Sequence, residues 1–147
     1  MTQLAASASI ASTFLEKDFY LREFRGRNLA IAASAADLRD ASSLAPLLDE
    51  LAANGTGAVV ISTERSALEP LVGDRILSAA TPRIEAVTWR RLREASGVGI
   101  LVGGSLAFAP AVRDVASRLR CSKLVWTDRE GGLARPGGER LSFVHLE

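Results

Sequence analysis

Residues 98–127 read VGILVGGSLAFAPAVRDVASRLRCSKLVWT, and this stretch decides the fold. Val98 to Val102 is an unbroken apolar run of strand length. Val112, Val115, Ala116 and Leu119 then recur at helical spacing between Pro110 and Arg120, and Lys123 to Thr127 is strand-like again. A strand that is apolar without alternation is buried on both faces. That is the mark of a parallel sheet covered by helices.

Working outward, the same alternation recurs. Leu29 to Ala33 and Ala58 to Ile61 read as two further buried strands, and Arg75 to Leu77 as a short extended piece. Ser42 or Ser43 caps a helix through Leu44, Leu47, Leu48 and Leu51, closed by Asn54-Gly55. Leu68 to Val72 forms a short helix or turn. Thr81 is placed to cap a helix with Pro82 in its first turn and Glu85 completing a capping box. That helix carries Ile84, Val87, Trp89 and Leu92 and ends near Gly97. The expected architecture is an α/β three-layer sandwich with a mostly parallel sheet and helices on both faces.

Two terminal pieces flank this core. Ile10, Phe14, Leu15, Leu21 and Phe24 recur at helical spacing, so residues 1–25 are expected to carry an amphipathic helix stopped by Gly26. Gly131-Gly132 and Pro136-Gly137-Gly138 separate Leu133 from Leu141 to Leu146, which reads as a small C-terminal hairpin. Residues 28–147 form the α/β core of a single domain.

Composition bounds the function without naming it. The 147 residues are 48% apolar and 24% charged, enough for one packed domain. Eighteen basic against 17 acidic residues give a net charge of +1, which argues against a dedicated nucleic-acid binder. One Cys and one His exclude a disulfide framework and a multi-Cys or His-rich metal centre. No apolar run reaches the roughly 20 residues of a membrane helix. Residues Met1 to Phe14 lack Lys and Arg, so neither a secretory nor a mitochondrial leader is expected, and a cytoplasmic location is the default.

The stretch Ala111 to Leu146 resembles the amino-acid kinase family, and most closely its acetylglutamate kinase and N-acetylglutamate synthase branch. The resemblance is carried by Val115 to Asp128, then Gly131-Gly132-Leu133, then Gly138 and Leu141-Ser142. In the family, a helix leads to a strand ending in Thr-Asp, then a glycine, a hairpin and a Gly-x-x-Ile-Ser piece. Phe19 to Phe24 is similar to the helix that precedes the kinase-like domain in some bifunctional members. Leu29 to Ala33 and Gly57 to Ser62 follow the family's opening strand–helix–strand unit. Gly73-Asp74-Arg75-Ile76-Leu77 resembles the segment whose Arg holds a substrate carboxylate.

The departures from that family bear on function. Phosphoryl transfer needs a Lys and glycine amides on the phosphates, with an acidic organiser. Where the family's first strand ends in Lys and glycines, this chain has Ala32-Ala33-Ser34-Ala35. Where a His-Gly-Gly turn follows the second strand, it has Ser62-Thr63-Glu64-Arg65. Where the helix before Lys123 begins with Asn and Asp, it has Leu106 to Pro110. The segment between Leu77 and that helix is short, and the family continues into a nucleotide-binding half beyond the region matched here. The resemblance therefore implies a pseudokinase rather than a kinase, with no catalytic residue, metal or cofactor assigned.

Ligands in parallel sheets sit beyond the carboxyl ends of the strands, which directs attention to the loops after Ala33, Ile61, Val102 and Thr127. Gly103-Gly104-Ser105 fits either an anion cradle at a helix start or a tight turn needing positive φ; the turn weighs more. Arg75 suits bidentate carboxylate binding or a solvated surface position. Thr127 and Asp128 end a strand, where ligands sit, although Asp128 before Arg129 and Gly131 also forms turns. The expected ligand-binding set is thus Arg75, Gly103, Gly104, Ser105, Thr127 and Asp128. Trp89 with Arg90, Arg91 and Arg93 reads as a helix with one apolar anchor and a solvated basic side. Cys121 and His145 read as packing residues, and Ser105 lacks the Gly-x-Ser-x-Gly spacing of a nucleophile elbow.

Together these expectations describe a regulatory or architectural domain connected with arginine biosynthesis. It would bind an amino acid or N-acylated amino acid, or an acetyltransferase or other enzyme partner. It would form a homo-oligomer through the N-terminal helix, without nucleic acid or membrane. The alternatives are a small-molecule phosphotransferase and a ligand-free oligomerisation module.

Overall fold

The computed structural model describes residues 19, 21–39, 44–103 and 107–127. Within these described residues ten elements follow one another. They are β1 (Asn28–Ala32), α1 (Ala35–Arg39), α2 (Leu44–Ala53), β2 (Gly57–Ser62), α3 (Arg65–Val72), β3 (Ile76–Ser78), α4 (Ile84–Leu92), β4 (Val98–Leu101), α5 (Phe108–Arg118) and β5 (Lys123–Trp126). The strands form one sheet in the order β3-β4-β2-β1-β5. Every pairing is parallel.

Strand alternation divides the core in two. Leu29, Ile31, Ala58, Val60 and Ile76 face one side, where Leu38 of α1, Leu44, Leu48 and Leu51 of α2, and Ala67, Leu68 and Val72 of α3 cover them. Ala30, Ala32, Val59, Ile61, Val98 and Ile100 face the other, under Ile84 of α4 and Val112 and Val115 of α5, with Leu119 just beyond it. Both faces being covered explains why these strands are apolar at every position. The chain is a three-layer α/β sandwich, as the pattern from 98 to 127 requires.

The helices sort by direction of travel. The crossovers from β1 to β2 and from β2 to β3 run one way across the sheet and use the α1–α3 face. Those from β3 to β4 and from β4 to β5 run the other way and use the α4–α5 face. Reversing direction and face together keeps one hand throughout, as parallel crossovers demand.

Several local expectations change. Residues 35–39 form a short helix that the sequence reading passes over, because five residues do not complete an apolar period. Leu47 is 42% exposed, so the apolar stripe of α2 is Leu44, Leu48 and Leu51. Thr81 does not cap α4. The Thr81 amide instead closes a turn on Ser78 O at 3.0 Å. The residue preceding α4 is Arg83, in the left-handed region at φ 53°, with no side-chain cap. Glu85 therefore has no capping box to complete and lies 3.8 Å from Arg120 Nε.

Gly26 has φ +73° and follows a helical turn over residues 21–24, as expected of a helix stop. That turn is fastened to the α2–β2 connection. Asn54 Nδ2 donates to Leu21 O, and Thr56 Oγ1 donates to Phe24 O at 3.0 Å. Both bonds satisfy carbonyls that a helix end leaves open. The rest of the expected N-terminal helix and the expected C-terminal hairpin lie outside the described residues. Among the described residues, no helix is long and apolar enough to cross a membrane.

Candidate functional site

In a parallel sheet the strands' carboxyl ends open a crevice where adjacent strands send their connections to opposite faces. Here β2 continues into α3 on one face, and its neighbour β4 continues toward α5 on the other. The crevice therefore lies between Ser62-Thr63-Glu64 and Val102-Gly103. The Val102 amide donates to Ser62 O at 2.9 Å and fixes the two ends together.

Two helix amino termini flank this crevice. Glu64 precedes α3 and Ala107 precedes α5, and neither makes a side-chain cap bond. Backbone N–H groups in such first turns are free donors, and the helix dipole favours an anion beside them. Ser62, at the end of β2 and two residues before Glu64, is completely buried, and its Oγ has no hydrogen-bond partner among the described residues. Thr88 Oγ1 is the other buried hydroxyl without a partner among the described residues.

The expected site residues do not assemble as one group. Gly103 is exposed at the crevice, with free space where a Cβ would stand, and its φ is not positive. The tight-turn reading therefore does not apply at Gly103 itself. Thr127 lies on the same carboxyl edge at the end of β5. Three strand spacings separate β5 from β4, or about 14 Å. Its amide and its Oγ1 both donate to Ala32 O, at 2.9 and 3.1 Å, so its hydroxyl holds β5 to β1. Gly104, Ser105 and Asp128 lie outside the described residues.

Arg75 stands on the opposite edge. It immediately precedes β3, and its Nε donates to Gly97 O, just before β4, at 2.9 Å. Its place in the expected ligand set rests on guanidinium geometry and on the resemblance of Gly73 to Leu77, and neither specifies an edge of the sheet. Ser62 was the residue missed. Its type and place at a strand end were visible, but that β2 and β4 are neighbours was not.

The remaining candidates occupy ordinary positions. Arg90, Arg91 and Arg93 are exposed, and Trp89 is half-buried beside a cleft of about 440 Å³ shared with Asn28, Gly57 and Leu92. This is the solvated basic side expected of α4. The described residues hold no group of three His, Cys, Asp or Glu side chains able to bind a metal ion. His145 lies outside the described residues.

Burial pushes the Cys121 thiol up to about 11. At pH 8 its thiolate fraction is about a hundredfold below that of an ordinary thiol, since thiolate content sets reactivity. Labelling by a disulfide reagent at pH 8 is expected to be slow in the folded chain and fast in denaturant. Equal rates in both conditions contradict this placement. The sign for stability follows too. The unfolded thiol ionises near pH 9 and the folded one near pH 11, so stability from this group is full below pH 9 and falls across that window.

The fold and the crevice together define an all-parallel three-layer α/β domain with a strand-end site flanked by two open helix starts. No family model matches the chain, and neither a curated protein nor a solved structure matches it.

Proposed function

We propose that this chain is a catalytically degenerate domain similar to the amino-acid kinases, with a regulatory or architectural role. Its ligand is an amino acid or N-acylated amino acid, bound in the crevice at the carboxyl ends of β2 and β4. The setting is arginine biosynthesis, where the domain serves a partner enzyme such as an acetyltransferase.

One observation carries this reading: the composition of the crevice. Two uncapped helix starts offer backbone donors suited to a single carboxylate. A triphosphate needs more positive charge than they supply. The chain has two lysines, Lys17 and Lys123. Lys123 begins β5, at the amino edge of the sheet, away from the crevice. Glu64 and Ser62-Thr63 occupy the turn where glycine backbone would have to approach a phosphate. The order of segments from Ala111 to Leu146 supports the family likeness, and the changed strand ends support the loss of chemistry.

A thermal-shift panel with arginine, glutamate and N-acetylglutamate at millimolar concentration tests it. A ligand at 100 times its Kd adds about 2.7 kcal/mol and raises the midpoint by several degrees. A shift with arginine or N-acetylglutamate is expected. Arg75→Ala is expected to lower the midpoint of the free protein, through loss of the bond to Gly97 O, and to leave the ligand-induced shift intact. A wild-type chain silent to all three ligands contradicts the ligand reading and favours an assembly module.

A further inference from the structure

A second cleft opens at the amino edge of the sheet, beside the last turn of α4. It holds about 440 Å³, within the range of about 300–1,000 Å³ typical of small-molecule sites. Asn28 at the start of β1, Gly57 at the start of β2 and Thr56 before it form one side. Trp89 and Leu92 of α4, with Arg93 just after it, form the other. The first side is held in place. Thr56 is buried, and its Oγ1 donates to Phe24 O at 3.0 Å and accepts from Asn54 Nδ2 at 2.9 Å. The Asn28 carboxamide lies against Gly57, where a Cβ would collide with Asn28 Oδ1 and stand 3.3 Å from Leu92 Cδ1. The cleft therefore has its shape before any ligand arrives, as binding sites generally do.

Its lining joins an apolar wall to polar groups that are not otherwise used. Trp89 is half-buried, and with Leu92 it supplies the apolar surface. Among the described residues, the Asn28 carboxamide, the Trp89 indole N–H and the Arg93 guanidinium make no side-chain hydrogen bond or ion pair. No acidic side chain is among the described residues that line the cleft, and Arg93 is the cation that does. The carbonyl end of α4 disfavours an anion, but Arg90 and Arg91 in its last turn offset that effect. A guanidinium accepts a carboxylate across two parallel bonds, and a carboxamide adds a further donor. A flat ring suits the indole beside them.

We propose that this cleft binds a small aromatic monocarboxylate, with its carboxylate on Arg93 and Asn28 and its ring against Trp89 and Leu92. The site lies at the edge of the sheet opposite the crevice between β2 and β4. The inference is independent of the reading given for that crevice.

Emission from Trp89 tests the site. The chain has two tryptophans, so Trp126→Phe leaves Trp89 as the sole reporter. Trp126 ends β5, at the carboxyl edge and away from the cleft. Phenylacetate is expected to change the emission saturably, with half-saturation below about 2 mM. Phenylacetamide, its uncharged twin, and acetate, which lacks the ring, are expected to bind at least about tenfold more weakly. Arg93→Ala is expected to weaken phenylacetate about tenfold and to erase the preference for acid over amide. Arg93 is exposed, so its loss should leave the thermal midpoint within about one degree. Half-saturation by phenylacetate above about 2 mM overturns the proposal. So does equal binding of acid and amide, or phenylacetate affinity that survives Arg93→Ala. Binding in the crevice between β2 and β4 would not depend on Arg93 and counts against the proposal. If Trp126→Phe does not fold, calorimetric titration of the chain with Trp126 in place, with and without Arg93→Ala, decides on the same criteria.

Discussion

Leu68→Ala is expected to cost about 3 kcal/mol of stability, within the range for truncating a buried leucine. Leu68 is completely buried in α3, among Leu48, Val60 and Val72. Helix α3 has eight residues and carries Pro70 inside it. A helix this short has little stability of its own and holds its place by packing. Its buried contacts are Ala67, Leu68 and Val72, so Leu68 is the largest of three anchors. The surroundings of a truncated core side chain relax only partially, so a cavity is expected to remain. Total stability of a domain this size is about 5–15 kcal/mol, and the loss is therefore a large share. Urea denaturation should show a lower midpoint with an unchanged slope. Leu47→Ala, at an exposed position on α2, should change stability by less than about 0.5 kcal/mol. A Leu68→Ala loss no larger than the Leu47→Ala change contradicts the packing described.

Gly99→Val is expected to be nearly as costly, by about 2 kcal/mol, for the opposite reason. Gly99 is buried in β4, beneath α3. A Cβ there would stand 3.0 Å from Val72 Cγ2, 3.3 Å from Leu68 Cδ1 and 3.4 Å from Ile76 Cγ1. Alanine asks these neighbours to move a few tenths of an ångström. Valine adds two methyl groups where no space exists and lifts α3 from the sheet. Because Gly99 and Leu68 face one another, the two substitutions should not add. Gly99→Val placed in a Leu68→Ala background should cost less than it does alone, by at least about 0.5 kcal/mol. Strict additivity would mean that α3 does not sit on Gly99.

These two positions also show what the sequence makes legible. The apolar runs 29–33, 58–61 and 98–102 are strands because burial on both faces leaves no polar position to confuse their reading, whereas 123–127 is a strand although β5 is largely exposed. The helices α2 and α5 follow from leucine and valine spacing, whereas Leu68 to Val72 leaves a short helix or a turn open and proves to be the second half of α3, which starts at Arg65. The start of α4 is less legible. Thr81-Pro82 carries a good local start signal, but the Thr81 amide is taken up by a turn on Ser78, and the helix begins after Arg83. Local propensity there yields to the path from β3.

The site was less legible than the fold. Strand identity is a local property, whereas strand order is set by pairings between residues far apart in sequence. Without the order β3-β4-β2-β1-β5, nothing marks β2 and β4 as the place where the crevice opens. Gly103 was therefore found as a glycine after a strand, while Ser62, its neighbour across the crevice, was not. Arg75 has the chemistry of a carboxylate binder, and the structure gives its Nε to Gly97 O on the far edge. Thr127 was placed on the correct edge but three strands away from Gly103.

The proposal under test is that the strand-end crevice binds a small carboxylate and does not transfer phosphate. Titration calorimetry of the purified chain with magnesium-ATP, with and without N-acetylglutamate, tests this most directly. The account predicts no saturable nucleotide binding at millimolar ATP and no phosphate transferred. Saturable binding with a Kd below about 100 μM, some 5.5 kcal/mol of affinity, would contradict it. Transfer of phosphate to N-acetylglutamate would do the same, and would mean that the crevice supplies the missing positive charge in another way.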